Sequence, residues 1–220
     1  MDAIKNILID IFNWIHTIVP DYGLDIILFT LLLKVVLLPF NILQTNSTVK
    51  TQMIQPKIKE LQVKYKNDPQ KLQQAQMDLY KSEGVNPFAG CLPLLIQMPV
   101  LFAVFYVFRE FNFGDATFLG VALQKPLKEA GNIVLVLFYT LLSGASTFLS
   151  TWLLTPKNQE PNAMTNNRTN VIMSVFFAYI SYTMTTGLVV YWVINNLLQM
   201  GIQYSLNKFI RKRAEVAAQK

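Results

Sequence analysis

A long apolar stretch near the start of the chain, LDIILFTLLLKVVLLPFNIL from Leu24 to Leu43, carries one cation, Lys34, close to its middle. A helix of about 20 residues rises about 30 Å, the thickness of the hydrocarbon core of a bilayer. The pattern therefore predicts a first membrane-spanning helix over residues 22–43. Before it, Ile4, Ile7, Leu8, Ile11, Trp14, Ile15 and Ile18 fall on one helical face, with Asn6, Asp10, Asn13 and Thr17 on the other. Residues 1–21 thus read as an extracytoplasmic amphipathic helix lying in the membrane interface and stopped by Pro20.

After the first span the pattern turns polar. Residues 44–87 hold Lys50, Lys57, Lys59, Lys64, Lys66, Lys71 and Lys81 against Glu60, Asp68, Asp78 and Glu83. One helix begins at Pro56, with Ile58, Leu61 and Tyr65 on one side. A second has Asp68 as N-cap and Pro69 in its first turn, continues through Leu72, Ala75 and Leu79, and ends at Gly84. Together they predict a basic helical hairpin. Its lysines are either solvated cytoplasmic charges or, through Lys57, Lys59, Lys64, Lys66 and Lys71, a docking surface for anionic lipid headgroups, the ribosome or other translocation components.

A second span over 88–108 contains Gln97, Pro93 and Pro99, and an extracytoplasmic loop follows over 109–131. A third span, 132–154, bears the small-residue band Ser143, Gly144, Ala145, Ser146, Thr147 and Ser150, which predicts close helix packing. After a cytoplasmic loop at 155–169, an apolar region too long for one helix is broken at Thr185, Thr186 and Gly187. It therefore gives a fourth span over 170–186 and a fifth over 187–207, before a basic tail at 208–220. The pattern predicts an all-α integral membrane protein with five transmembrane helices.

Composition agrees with that reading: 15% of the residues are charged and 52% hydrophobic, against about 25% charged in soluble domains. The net charge of +6 could signal nucleic acid, but its distribution argues for topology instead. Five spans with the N-terminus outside put 14 Lys and Arg in cytoplasmic segments and 4 outside, with Lys34 left in the membrane. The expected topology is multi-pass, with the N-terminus outside and the C-terminus in the cytoplasm. No signal peptide or lipidated cysteine is evident, so the chain is expected to begin with its own structure.

Candidate chemistry narrows by elimination. There is one histidine, His16, read as a plain interfacial residue, and one cysteine, Cys91, read as a buried small hydrophobe that can form no internal disulfide. The acids stop at Asp25, on the edge of the first span, so an intramembrane aspartyl protease, a carboxylate metal site and a proton relay all lack their residues. No cofactor, no metal and no enzyme activity are predicted.

Lys34 is then a charge without a membrane carboxylate to pair with. With about ten residues, roughly 15 Å, to either end of the span, its stem is too short to snorkel. It faces a hydrated cavity, is neutralised by burial, or is satisfied by backbone carbonyls. Polar residues that could line a cavity are Gln97, then Ser146, Thr147 and Ser150, then Ser174, Ser181 and Thr183, and finally Asn195, Asn196, Gln199 and Gln203. Asn195, Gln199 and Gln203 recur every four residues along one helical stripe. Each could equally make an ordinary interhelical hydrogen bond, contributing about 0.6 kcal/mol.

Three strings resemble those of the YidC/Oxa/Alb membrane protein insertases, of the Gram-positive YidC type: QPKIKELQVKYKNDPQKLQQAQMDLYKSEGVNPFAGCLPLLIQMPV (55–100), FNFGDATFLGVAL (111–123) and GLVVYWVINNLLQMGIQ (187–203). The resemblance covers nearly the whole chain. It implies five spans enclosing a hydrophilic groove open to the cytoplasm and to lipid, a groove cation at Lys34, a groove aromatic at Trp192, and a hairpin that receives substrate. The implied function is that of an insertase and chaperone admitting polar or acidic substrate segments to the groove. Implied partners are nascent membrane proteins, the ribosome, the Sec translocon and anionic lipids, with no nucleic acid beyond ribosome contact through the basic tail. In two places the chain departs from the family pattern: lysine replaces the usual arginine, and Ser150 stands where many relatives have glutamine. The alternative from another class, a small-solute channel or transporter, fits poorly with a lone cation and no internal repeat.

Overall fold

The computed structural model describes residues 2–86, 92–154 and 167–218, with side chains for 5–86, 97–153 and 167–213. Cys91, Pro93 as a side chain, the beginning of the second expected span and most of the loop at 155–169 lie outside the described residues. Nine α-helices are described: α1 (Asp2–Ile18), α2 (Tyr22–Val36), α3 (Leu38–Met53), α4 (Gln55–Lys64), α5 (Pro69–Ser82), α6 (Leu92–Glu110), α7 (Ile133–Leu154), α8 (Asn167–Thr183) and α9 (Thr186–Ala218). Strands β1 (Thr117–Phe118) and β2 (Val121–Ala122) form an antiparallel ribbon between α6 and α7. The chain divides into two compact units, one of Met1–Leu37, Gln97–Thr155 and Pro161–Gly201, the other of Leu38–Ile96, Pro156–Glu160 and Ile202–Lys220.

The single helix expected over Leu24–Leu43 is two. Asp21 caps α2, its side chain accepting the Leu24 N–H at 2.9 Å, and α2 ends at Val36 with Leu37 as C-cap. Pro39 explains the break: it has no N–H to give Val35, and its ring would strike that carbonyl. Lys34 consequently lies in the last turn of α2, not in the middle of a continuous span.

The core of the first unit is built on aromatic rings. Phe12 of α1 is fully buried, and its ring meets those of Phe29, Phe108, Phe111 and Phe113 edge-on at centroid distances of 4.7–6.0 Å. Edge-to-face geometry places the positive rim of one ring on the negative face of another. His16 is not the plain interfacial residue expected. Its Nδ1 lies 2.6 Å from Oδ2 of Asp25, which is 0% exposed, and its ring stacks on Tyr22 at 4.1 Å. The amphipathic α1 is therefore pinned to α2 by a polar contact as well as by Phe12.

The β-ribbon turns at Leu119 and Gly120, with φ of 47° and 85°, the left-handed pair that a two-residue hairpin requires. The Phe118 ring fills the space that a side chain at Gly23 would need. The break between α8 and α9 is held from the same loop: Thr186 and Gly187 donate their N–H groups to the carbonyls of Lys125 and Leu123 at 3.0 and 3.1 Å. Helices α7 and α8 approach closely at Gly144, where a Cβ would sit 3.0 Å from that of Ala178, and Ser143 and Ser181 share a hydrogen bond of 2.6 Å.

Along α7 and α8 exposure is inverted relative to a soluble domain. Ile133, Val134, Leu137, Phe138 and Leu141 of α7, and Val171, Ile172, Val175, Phe176 and Tyr179 of α8, face outward, while Ser143, Ser146, Thr147, Asn170, Ser174 and Ser181 are buried. Apolar surface on that scale is at home in lipid rather than water. By length and composition, α7 alone is long and apolar enough to cross a membrane among the described helices, and α2 with α3 passes when the pair is taken together.

In the second unit Ile54, Ile58 and Val85 form a small core with Leu79 and Tyr80 packed against it, and burial pushes the Tyr80 phenol up. Asp68 caps α5, accepting the Lys71 N–H at 3.1 Å, with Pro69 in the first turn. That bond and the Lys71 side chain hold the Asp68 carboxyl below the usual range. Gln203 donates to Thr45 Oγ1 at 2.8 Å, and Arg211 reaches Gln52. The basic tail is helical through Ala218 as the continuation of α9.

Candidate functional site

Lys34 is 4% exposed, and its ammonium donates to Gln199 Oε1 at 2.8 Å. Among the described residues no carboxylate pairs with it. A buried cation retains its charge at tolerable cost when acceptors replace its lost water, and here the acceptor comes from the last helix.

One turn earlier on α9, the polarity is reversed. Ser146 and Thr147 donate their hydroxyl protons to the Ser143 carbonyl at 3.0 and 2.8 Å, so their oxygens face outward from α7 as acceptors. Asn196 Nδ2 donates to both, at 3.2 and 3.1 Å, and Trp192 Nε1 donates to Thr147 Oγ1 at 2.9 Å. Positions 192, 196 and 199 are spaced by four and three, so a single face of α9 reaches both the hydroxyls of α7 and the ammonium of α2.

Trp192 also marks the edge of the polar zone. Its ring stacks on Phe177 at 4.6 Å, and beyond it an apolar cavity of about 270 Å³ is lined by Leu101, Phe102 and Phe105 of α6, Phe177 and Ile180 of α8, and Leu188 and Val189 of α9. Polar groups and an apolar cavity thus meet at one indole, the amphipathic arrangement that suits tryptophan.

The other candidate residues are placed as follows. Ser150 and Asn195 are buried. Gln97 is half-buried on α6, and among the described residues no hydrogen bond joins it to Lys34 or Trp192. Gln203 bonds Thr45 within the second unit. Asn196, which the Asn195–Gln199–Gln203 stripe passes over, makes the double contact instead. Its spacing of four from Trp192 was the available signal. Lys57, Lys59, Lys64, Lys66 and Lys71 are all exposed; Lys57 pairs with Glu83, Lys71 with Asp68, and Lys64 lies 5.3 Å from the Tyr65 ring centre.

The chain is similar to known proteins over nearly its whole length. The family model described as "60Kd inner membrane protein" matches residues 14–213. The protein named "Membrane protein insertase YidC" of Clostridium tetani is 39% identical over 223 residues, covering 97% of this chain and 98% of the relative. That of the same name in Clostridium perfringens is 42% identical, covering 91% of this chain and 88% of the relative. A crystal structure titled "Active YidC insertase crystal structure with the first transmembrane domain resolved" superposes with a TM-score of 0.67 at 30% identity, covering 92% of this chain. This chain spans just under half, 46%, of that longer one. A helical bacterial membrane protein, the chain belongs to the YidC family of membrane protein insertases.

Proposed function

We propose that the chain inserts proteins into the bacterial plasma membrane by admitting polar or acidic substrate segments to a groove around Lys34 while their apolar segments pass into lipid. The observation that carries this is the buried ammonium of Lys34, held by a neutral amide and bordered on α9 by Asn196, Trp192 and the α7 hydroxyls. A buried charge in the membrane part of a protein is costly when no opposite charge pairs with it, so its retention calls for a partner of opposite charge that arrives and leaves. In this reading five spans enclose the groove, the N-terminus is outside, and the 14-to-4 distribution of basic residues sets the orientation. Gln97, Ser146, Thr147, Ser150, Trp192, Asn195 and Gln199 line the groove with Lys34.

The work is binding and release, with no catalytic group. The α4–α5 hairpin, through Lys57, Lys59, Lys64, Lys66 and Lys71, receives nascent chains, and ribosome, Sec translocon and anionic lipids contact the basic cytoplasmic segments. The test is insertion by the full chain in reconstituted vesicles. Lys34→Ala and Lys34→Glu are expected to slow substrates with acidic translocated tails. Wild-type rates for both variants would overturn the groove mechanism, and ion flux without any substrate protein would favour a channel instead.

A further inference from the structure

The contact between Lys34 and Gln199 carries more than the placement of a charge. The acceptor is an amide carbonyl, which satisfies one of the three ammonium donors while leaving the positive charge uncancelled. The pair spans α2 and α9, and Lys34 is nearly inaccessible to water. With so little of Lys34 accessible, the place of Gln199 is the route by which an incoming group reaches the ammonium.

We propose that Gln199 is a specificity-determining residue: a neutral placeholder that only an acidic side chain of the substrate displaces with profit, so that the pair selects carboxylates over uncharged polar groups. The inference rests on the groove reading above. Its physics is a difference. A serine, asparagine or glutamine of the substrate offers an uncharged oxygen no better than the one it replaces, and the exchange gains nothing. A carboxylate adds full charge attraction, in surroundings of low dielectric where that attraction is strongest, and its hydrogen bond to an ammonium is correspondingly shorter and stronger.

The use of lysine fits this arrangement. A compact ammonium is matched by the single carbonyl oxygen of Gln199, whereas the planar fork of an arginine would call for two acceptors side by side. Helix α9 supplies the register. Asn196 and Trp192, one and two turns earlier, are tied to the α7 hydroxyls, which holds the Gln199 amide toward Lys34.

The experiment measures insertion by the full chain in vesicles, using single-span substrates whose translocated tails differ only in carrying aspartate or asparagine. The quantity read is the ratio of acidic-tail to neutral-tail rates, about tenfold for the wild type if the carboxylate contributes one ordinary charge-assisted bond. Gln199→Glu supplies a permanent carboxylate to Lys34 and is expected to bring the ratio toward one. The exchanged pair Lys34→Gln with Gln199→Lys keeps cation and amide in contact, and is expected to recover the ratio that Lys34→Gln alone loses. A wild-type ratio in Gln199→Glu overturns the proposal. If that variant does not accumulate in the membrane, the exchanged pair decides: recovery supports the proposal, and behaviour like Lys34→Gln overturns it. A wild-type ratio in Lys34→Gln would instead refute the groove reading itself, so the two failures are distinct.

Discussion

The pairing of His16 with Asp25 makes a quantitative prediction about how α1 is attached. Asp25 is completely buried; its Oδ2 meets His16 at 2.6 Å, and its Oδ1 has no hydrogen-bond partner among the described residues. His16→Ala leaves a buried carboxylate with neither oxygen satisfied by a side chain. Removing one partner from a buried pair costs about 3–5 kcal/mol. Because the His16 side chain is 32% exposed, water enters the vacated space, and the lower end, about 3 kcal/mol, applies. Asp25→Asn retains an acceptor for the imidazole N–H and removes the charge, at about 1 kcal/mol. In the double variant no charge remains to be buried, so the loss should be about 2 kcal/mol rather than the additive value of about 4, a coupling of about 2 kcal/mol. The measurement is a double-mutant cycle on reversible unfolding in detergent micelles. Additive losses would mean that the contact contributes nothing as a pair, and that α1 is held chiefly by Phe12, Ile15 and the apolar residues packed with them.

Further predictions follow from packing and capping. Phe12→Ala removes a ring shared among four others and should lower stability by about 3–5 kcal/mol in the same unfolding assay, with α1 becoming sensitive to protease. Gly23→Ala puts a Cβ 1.9 Å from the Phe118 ring and should cost about 1–3 kcal/mol, part of which Phe118→Ala, lacking every atom the Cβ would strike, restores when measured against Phe118→Ala alone. Asp68 titrates below its ordinary value of 3.8, so its stabilisation of α5 is complete above that pH and disappears as the pH falls through the lower folded value. Amide exchange in α5 should thus be constant from neutral pH to about 5, after correction for intrinsic rates, and accelerate only in stronger acid. Asp68→Asn, which keeps the cap without the charge, should abolish that acid dependence.

Several local features were legible because their causes are local. The cap at Asp68 with Pro69 beside it, the stop near Pro20 and the break at Thr185–Gly187 depend on residues adjacent in the chain, and the helices begin and end there. Pro39 carried the same kind of signal. It lies inside the apolar run and separates α2 from α3. Hydrophobicity alone gives no weight to a missing N–H.

The amphipathic pattern of α1 and the unpaired Lys34 were properties of the sequence, since the spans contain no carboxylate beyond the Asp25 edge. Which groups answer one another was decided by tertiary structure. Asp25 and His16 lie nine residues apart on different helices, Lys34 and Gln199 are 165 apart, and Asn196 meets Ser146 and Thr147 across some fifty residues. Periodicity assigns a residue to a face, but hydrogen bonds require atoms within about 3 Å. The choice of Asn196 over Asn195 as the donor to α7, and the placing of Gln199 as an acceptor for Lys34, turn on the rotation of α9 about its own axis. That rotation is set by the packing of α9 against its neighbours, which no stretch of sequence contains by itself.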